Sequence, residues 1–303
     1  MVDITHPTNR FGVYNGSGTA PQGEALISLH GEPGRYLADH ELVIAVNTAL
    51  AIEQPLLVTG EPGTGKSALA WSIASELGLG EPLPFYTRSD SHARDLLYVY
   101  DYLPRYLDAQ LRSENAFDAT RYVRFVALGE AICSNRRRVV LIDEIDKAPR
   151  DFANDLLEQL DHMAFSIPET GITYTSKYRP IVVITSNSER QLPDPFLRRC
   201  IFHHIEFPSA DRLRGILQER LSHLRVTEHL LDISVRKFLQ LRELRHLDKL
   251  PATSELLTWV RALLAAGIDA RQVEASPLRE LPLINALVKT RSDRSLLSSL
   301  TDS

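Results

Sequence analysis

The chain has 303 residues, 44% of them hydrophobic and 24% charged, and carries a formal net charge of -5. This is length for one large or two modest domains with the composition of an ordinary globular protein, and the acidic balance argues against holding nucleic acid by bulk electrostatics. Two cysteines, Cys133 and Cys200, exclude a disulfide framework, and no segment approaches membrane-spanning length or resembles a signal sequence, so a cytoplasmic protein is expected.

Residues 1–35 are rich in Gly, Pro, Asn and Thr and lack sustained periodicity, which predicts an N-terminal arm or linker without a fold of its own. Leu42, Val43, Val46 and Leu50 then follow helical spacing behind Asp39, a candidate N-cap. Pro55-Leu56-Leu57-Val58-Thr59 reads as a buried strand, and Ala68 to Leu77 as a helix with Leu69, Ile73 and Leu77 on one face. Between them lies Gly60-Glu61-Pro62-Gly63-Thr64-Gly65-Lys66-Ser67. Strand, glycine-rich turn and helix in that order fit a phosphate-binding loop, whose backbone N–H groups wrap a polyphosphate. Lys66 would reach the outer phosphates and Ser67 would hold Mg²⁺. The nucleotide-binding stretch is therefore Gly60, Glu61, Pro62, Gly63, Thr64, Gly65, Lys66, Ser67 and Ala68.

Leu83 to Thr87 suggests a second strand, and Arg88 to Ile132 a mainly helical segment with many tyrosines. Arg136-Arg137-Arg138 precedes an apolar run and reads as a solvated strand entrance. Val139 to Ile142 and Ile181 to Ile184 are continuous aliphatic runs, the pattern of strands covered on both faces, and call for a parallel sheet between helices. Ile201 to Phe207 supplies a fifth strand; His203 and His204 on it point to opposite faces, which disfavours a shared metal site. Beyond Pro208 the strand-like runs end. Helical spacing in Leu213 to Leu224, Val235 to Leu244, Ser254 to Ala266 and Leu281 to Val288, punctuated by Pro251, Pro277 and Pro282, predicts a separate helical domain. The expected division is 1–35, an α/β domain over 36–208 and a helical domain over 209–303.

Leu141-Ile142-Asp143-Glu144 places two carboxylates at the exit of a buried strand, the edge of an open α/β sheet where ligands bind. Asp143 is the expected holder of Mg²⁺ and Glu144 the group that polarises an attacking water. Ile184-Thr185-Ser186-Asn187 repeats the arrangement on another strand and ends in an amide able to bind a γ-phosphate or orient that water. Arg198 and Arg199 precede the fifth strand, and a guanidinium suits a migrating phosphoryl group because it is permanently charged and grips two oxygens.

With these elements in hand the chain from about Tyr36 onward resembles the AAA+ ATPases and, within them, the MoxR-like branch. Gly60 to Ser67 looks like their Walker A motif, Val139-Val140-Leu141-Ile142-Asp143-Glu144-Ile145-Asp146 their Walker B, Asn187 their sensor 1 and Arg199 their arginine finger. The resemblance implies a five-stranded P-loop domain with a helical lid, ATP and Mg²⁺ as ligands, a nucleotide at the subunit boundary, and a homo-oligomeric ring, commonly hexameric. It also implies a protein client, with von Willebrand A-domain proteins as partners of that branch. Ala93-Arg94-Asp95-Leu96-Leu97, with Tyr98, Tyr100, Tyr102 and Tyr106 after it, occupies the place of the family's helix-2 insertion, and Phe165 to Tyr174 that of its pre-sensor hairpin; both are candidate client contacts. Where many relatives carry a sensor-2 arginine this chain reads Ala252-Thr253-Ser254-Glu255, and Arg261, two helical turns on, could replace it. Two other functions compete with partner remodelling by ATP hydrolysis. One is a nucleic-acid motor or restriction-type GTPase, disfavoured by the acidic balance and by the lack of an Asn-Lys-x-Asp sequence. The other is a nucleotide-gated switch with little turnover, which would not need Glu144.

Overall fold

In the computed structural model, residues 14–16, 36–113, 117–222, 224–244 and 246–299 are described. They fall into two compact units, one drawn from residues up to Gly60 together with Gly65–Ile205, the other from Glu61–Thr64 and Glu206 onward.

The first unit runs α1 (His40–Ile52), β1 (Leu56–Gly60), α2 (Lys66–Glu76), β2 (Leu83–Tyr86), β3 (Tyr98–Tyr100), α3 (Tyr102–Gln110), β4 (Val123–Phe125), α4 (Ala127–Ile132), β5 (Val139–Asp143), α5 (Phe152–Asp155), α6 (Leu157–His162), β6 (Ala164–Ile167), β7 (Ile172–Thr175), β8 (Ile181–Ser186), α7 (Asp194–Leu197) and β9 (Ile201–Ile205). Five strands form one parallel sheet in the order β2-β5-β8-β1-β9. Its three central strands are buried along their whole length, as their unbroken aliphatic runs require. Alternate residues supply two cores: Leu57, Val140, Ile142, Val182 and Ile184 pack on one face, and Leu56, Val58, Leu141 and Val183 on the other. This is the P-loop α/β fold that the sequence led us to expect.

Asp39 caps α1, its carboxylate accepting from Leu42 N at 2.8 Å, a contact of about 1 kcal/mol. One residue of the N-terminal stretch is anchored on the α/β unit. Tyr14 is fully buried, its hydroxyl 3.0 Å from Ser72 Oγ on α2, and its backbone exchanges two hydrogen bonds with the Asn47 amide on α1. An aromatic side chain is worth burying wherever its O–H finds a partner, and periodicity cannot reveal a single anchor. The remainder of the arm lies outside the described residues. The basic run is solvated only at Arg136. Arg137 pairs with Glu53 and Arg138 with Glu130, with side chains only 12% and 14% exposed, so their charge is already answered within the fold.

The segment expected to be mainly helical is instead divided. Tyr98-Val99-Tyr100, buried-exposed-buried, pairs antiparallel with Val123-Arg124-Phe125, and among the described residues between Arg88 and Ile132 only α3 and α4 are α-helical. The alternation of three residues was too short to outweigh the helical spacing around it. A second hairpin, β6 and β7, lies where Phe165 to Tyr174 suggested it. The hairpins meet through rings: Tyr98 stacks on Phe165, and Phe125 meets Phe165 and Tyr174 edge-on. Glu169 joins them further by accepting from the hydroxyls of Tyr98 and Tyr102, bonds that hold its carboxyl below the ordinary value.

The second unit is helical, with α8 (Ala210–Arg220), α9 (Glu228–Arg242), α10 (Thr253–Ala265), α11 (Ala270–Ala275) and α12 (Arg291–Ser298) around Phe238, Trp259 and a shell of leucines. The helix expected over Leu281 to Val288 is only a 3₁₀ turn at Ile284–Ala286, because Pro282 and the left-handed Leu283 (φ 55°) interrupt the chain there. Helix α12 escaped sequence reading, since eight residues with two adjacent leucines do not repeat the i, i+3, i+4 apolar spacing that marks a longer helix.

Candidate nucleotide-binding site

Strand β1 ends at Gly60 and helix α2 begins at Lys66, so the glycine-rich turn lies at the sheet edge where β5 and β8 also end. Gly65 is the N-cap of α2 at φ 92°, and a Cβ there would stand 3.3 Å from the Tyr36 ring. Any L side chain at that position meets both backbone strain of about 1–2 kcal/mol and a crowded ring. No side-chain hydrogen bond caps α2, and its N-terminus offers backbone N–H groups and the positive end of the helix dipole to an anion. Helix α2 starts two residues earlier than expected, which places Lys66 in its first turn. Lys66 is 6% exposed and donates to the Gly60 carbonyl at 2.8 Å. Glu61 and Thr64 are half-buried, Pro62 and Gly63 exposed, and Ala68 half-buried.

Ser67 and Asp143, from different elements, meet directly: Ser67 Oγ donates to Asp143 Oδ1 at 2.7 Å. Thr185 Oγ1 donates to the same carboxylate oxygen at 2.6 Å, and Thr87 Oγ1 to the Asp143 carbonyl at 2.8 Å. Glu144 follows in a left-handed conformation (φ 56°, ψ 52°), its N–H bonded to Thr185 Oγ1 at 2.8 Å. A non-glycine residue held there costs about 1–3 kcal/mol, which neighbouring contacts must offset. The turn aims the Glu144 carboxylate at β8, where Asn187 Nδ2 donates to Oε1 at 3.1 Å. Lys147 contacts the other oxygen, and Glu144 in turn holds the Lys147 ammonium above its ordinary value. The structure thus brings Lys66, Ser67, Asp143, Glu144 and Asn187 to one edge.

Three residues of this assembly went unassigned in the sequence. Thr185 braces both acidic positions, whereas the sequence pattern of its strand points to Asn187 alone. Thr87, closing β2, also donates to the Glu144 carbonyl. Asp146 is 3% exposed and accepts from Asn187 N at 3.2 Å and Glu189 N at 3.0 Å, so it fastens the loop that carries Asn187. The available signal was the second aspartate of Asp143-Glu144-Ile145-Asp146.

The arginines are not part of this cluster. Arg199 precedes β9 at the opposite end of the strands, beside Pro55 at the start of β1, about 17 Å from the turn by strand rise. Its guanidinium donates to Asp161 at 2.8 Å and to the Pro195 carbonyl at 3.0 Å; Arg198 is exposed. In the helical unit, Glu255 accepts from Ala252 N and Ser254 Oγ at the start of α10, and Arg261 on that helix is exposed. On β9, His204 contacts Thr59 Oγ1 at 2.8 Å while burial lowers the His203 pKa, in keeping with opposite faces.

Residues 55–200 match the family model of the AAA domain, dynein-related subfamily. That span opens just before β1 and closes before β9, so it includes the glycine-rich turn, both acidic residues, Asn187 and the two arginines. Among solved structures, the chain is similar to the crystal structure of the FIGL-1 AAA domain in complex with ADP, at 17% identity and a TM-score of 0.42 over 82% of this chain and 74% of that one. No helix among the described residues is long and apolar enough to cross a membrane.

Proposed function

We propose that the protein is a Mg²⁺-dependent ATPase that assembles into a ring and remodels a partner protein, as MoxR-like proteins do. The observation that carries the reading is the meeting of Ser67 and Asp143 beside the Glu144–Asn187 pair, at the N-terminus of an uncapped helix. A hydroxyl and a carboxylate are hard oxygen donors suited to Mg²⁺, which completes its shell with waters and nucleotide phosphates. Bound there, Mg²⁺ would neutralise charge on the phosphates. Lys66 and the first turn of α2 bind the phosphates, Asn187 positions the water, and Glu144 accepts its proton.

Arg199 stands too far from its own turn to reach a nucleotide there, a position suited to completing a neighbour's site in a ring, with six subunits expected from the resemblance. The partner reading draws on α3. Arg105 and Asp108 on that helix turn inward to the hydroxyls of Tyr100 and Tyr122, while Leu103, Tyr106, Leu107 and, just beyond, Leu111 are 52–79% exposed. A helix face that ties Arg105 and Asp108 to tyrosine hydroxyls and displays leucines suits an apolar protein segment better than a phosphate backbone. A von Willebrand A-domain protein is the partner that the family resemblance suggests.

Phosphate release from ATP, followed with and without Mg²⁺, tests the activity; Asp143→Asn should lose most of the response to Mg²⁺. Capture of partners on ATP-loaded Glu144→Gln protein tests the rest. A protein that fails to be retained after leucines 103 and 107 are changed to serine supports the remodelling reading, and a nucleic-acid fragment would favour a motor instead.

A further inference from the structure

Both oxygens of the Glu144 carboxylate are held by its own chain. Asn187 Nδ2 donates to Oε1, and the Lys147 ammonium donates to Oε2. Lys147 closes the 3₁₀ turn Ile145–Lys147, and its N–H on the Glu144 carbonyl at 2.9 Å folds it back beside the left-handed Glu144. The choice of partner is selective. Asp146 and Glu189 also lie near enough to favour the charged ammonium, but the Asp146 oxygens already accept the N–H groups of Asn187 and Glu189. The Glu144 backbone is fixed on both sides by Thr185 and Thr87, leaving its side-chain torsions as the freedom that remains.

We propose that Lys147 is a positioning residue for ATP hydrolysis, locking the Glu144 carboxylate in one orientation together with Asn187. The proposal rests on the ATPase reading above. An ionised carboxylate offers about four lone-pair sites, so two donors leave room for the attacking water on the remaining two. Stability is a poor explanation for the pair: its side chains are 45% and 37% exposed, and ion pairs that open to solvent contribute little. Orientation is the effect that survives solvation, because a misdirected base loses rate even when substrate binds normally.

The test is steady-state ATP hydrolysis by the full chain, with Lys147→Ala and Lys147→Arg in the parent and in Glu144→Gln. Lys147→Ala should lower kcat about tenfold with KM within about twofold and an unchanged melting temperature. Lys147→Arg, which restores the cation and its reach, should recover most of the rate. In Glu144→Gln, measured by single-turnover hydrolysis, Lys147→Ala should cause no further loss. An active parent whose Lys147→Ala variant keeps its kcat overturns the proposal and leaves the ATPase reading intact. A raised KM at unchanged kcat, or the same loss in both backgrounds, also overturns it. A parent that releases no phosphate from ATP removes both.

Discussion

Replacing Asp146 by asparagine keeps its size but removes its charge and one acceptor oxygen. Asp146 accepts from Asn187 N through both oxygens, at 3.3 and 3.2 Å, and from Glu189 N at 3.0 Å, in a site only 3% exposed. In Asp146→Asn a carbonyl oxygen standing where Oδ2 stands can still accept from both backbone donors, but neither bond keeps a charged acceptor and the amide nitrogen replaces Oδ1 beside the Asn187 N–H. Hydrogen bonds to charged groups contribute about 1.5–3 kcal/mol against about 0.5–1.5 for neutral ones, so weakening these bonds predicts a destabilisation of about 1–3 kcal/mol. For a unit of this size that lowers the melting temperature by roughly 2–12 °C. The functional effect follows from the same bonds. They fasten the turn at Ser188 (φ 62°) that presents Asn187 to Glu144, so kcat should fall about tenfold or more while ATP affinity, set by the β1–α2 turn, stays within about twofold. Thermal melts, phosphate release and titration with a fluorescent ATP analogue measure the three quantities. A variant that melts with the parent and turns over normally refutes the bracing role, and a proportionate loss of ATP affinity would show that Asp146 supports the phosphate loop instead.

Arg199→Ala removes a pair with Asp161 that is about 40% exposed on both sides, so stability should change by less than about 1 kcal/mol. ATP binding should persist while hydrolysis falls about a thousandfold, and mixing this variant with Glu144→Gln should restore part of the activity because adjacent subunits exchange an intact arginine for an intact glutamate. Confirmed co-assembly without recovery would count against action in trans. In the helical unit, burial pushes the Asp293 pKa up, but the Thr290 hydroxyl and the N–H groups of Asp248 and Lys249 more than offset it and hold the carboxyl below its ordinary value. Its contribution is present above the unfolded value of about 4 and is lost as pH falls through the lower native value; Asp293→Ala should therefore destabilise at pH 7 by about 1–3 kcal/mol and flatten the stability slope below about pH 4, as acid-titrated melts would show.

What was legible in the sequence was whatever a long-range rule imposes on neighbouring residues. Unbroken aliphatic runs announced β1, β5 and β8 because strands covered on both faces have no polar side, and the glycine spacing announced the turn because only a few residue types permit it. Asp143, Glu144 and Asn187 could be singled out because each closes such a run. Thr87, Thr185, Asp146 and Lys147 could not, since each acts through contacts that exist only after strands are laid side by side: Thr185 reaches Asp143 across 42 positions, and Thr87 across 56. The β3–β4 pairing and the Tyr14 anchor were missed for the same reason. Three alternating residues or one tyrosine carry no periodicity, and both are decided by a partner elsewhere in the chain.

The division of labour between Lys66 and Glu144 is the most direct test of the account. Lys66→Ala, Glu144→Gln and the parent should be titrated with ATP in the presence of Mg²⁺ and then followed for phosphate release. Lys66→Ala should lose most of its nucleotide affinity, because the charge that meets the outer phosphates is gone. Glu144→Gln should bind ATP nearly as the parent does and release phosphate at least about a hundredfold more slowly, since it keeps the shape of the site without a base for the water. Equal loss of binding in the two variants, or a Glu144→Gln protein that turns over at the parent's rate, would contradict it.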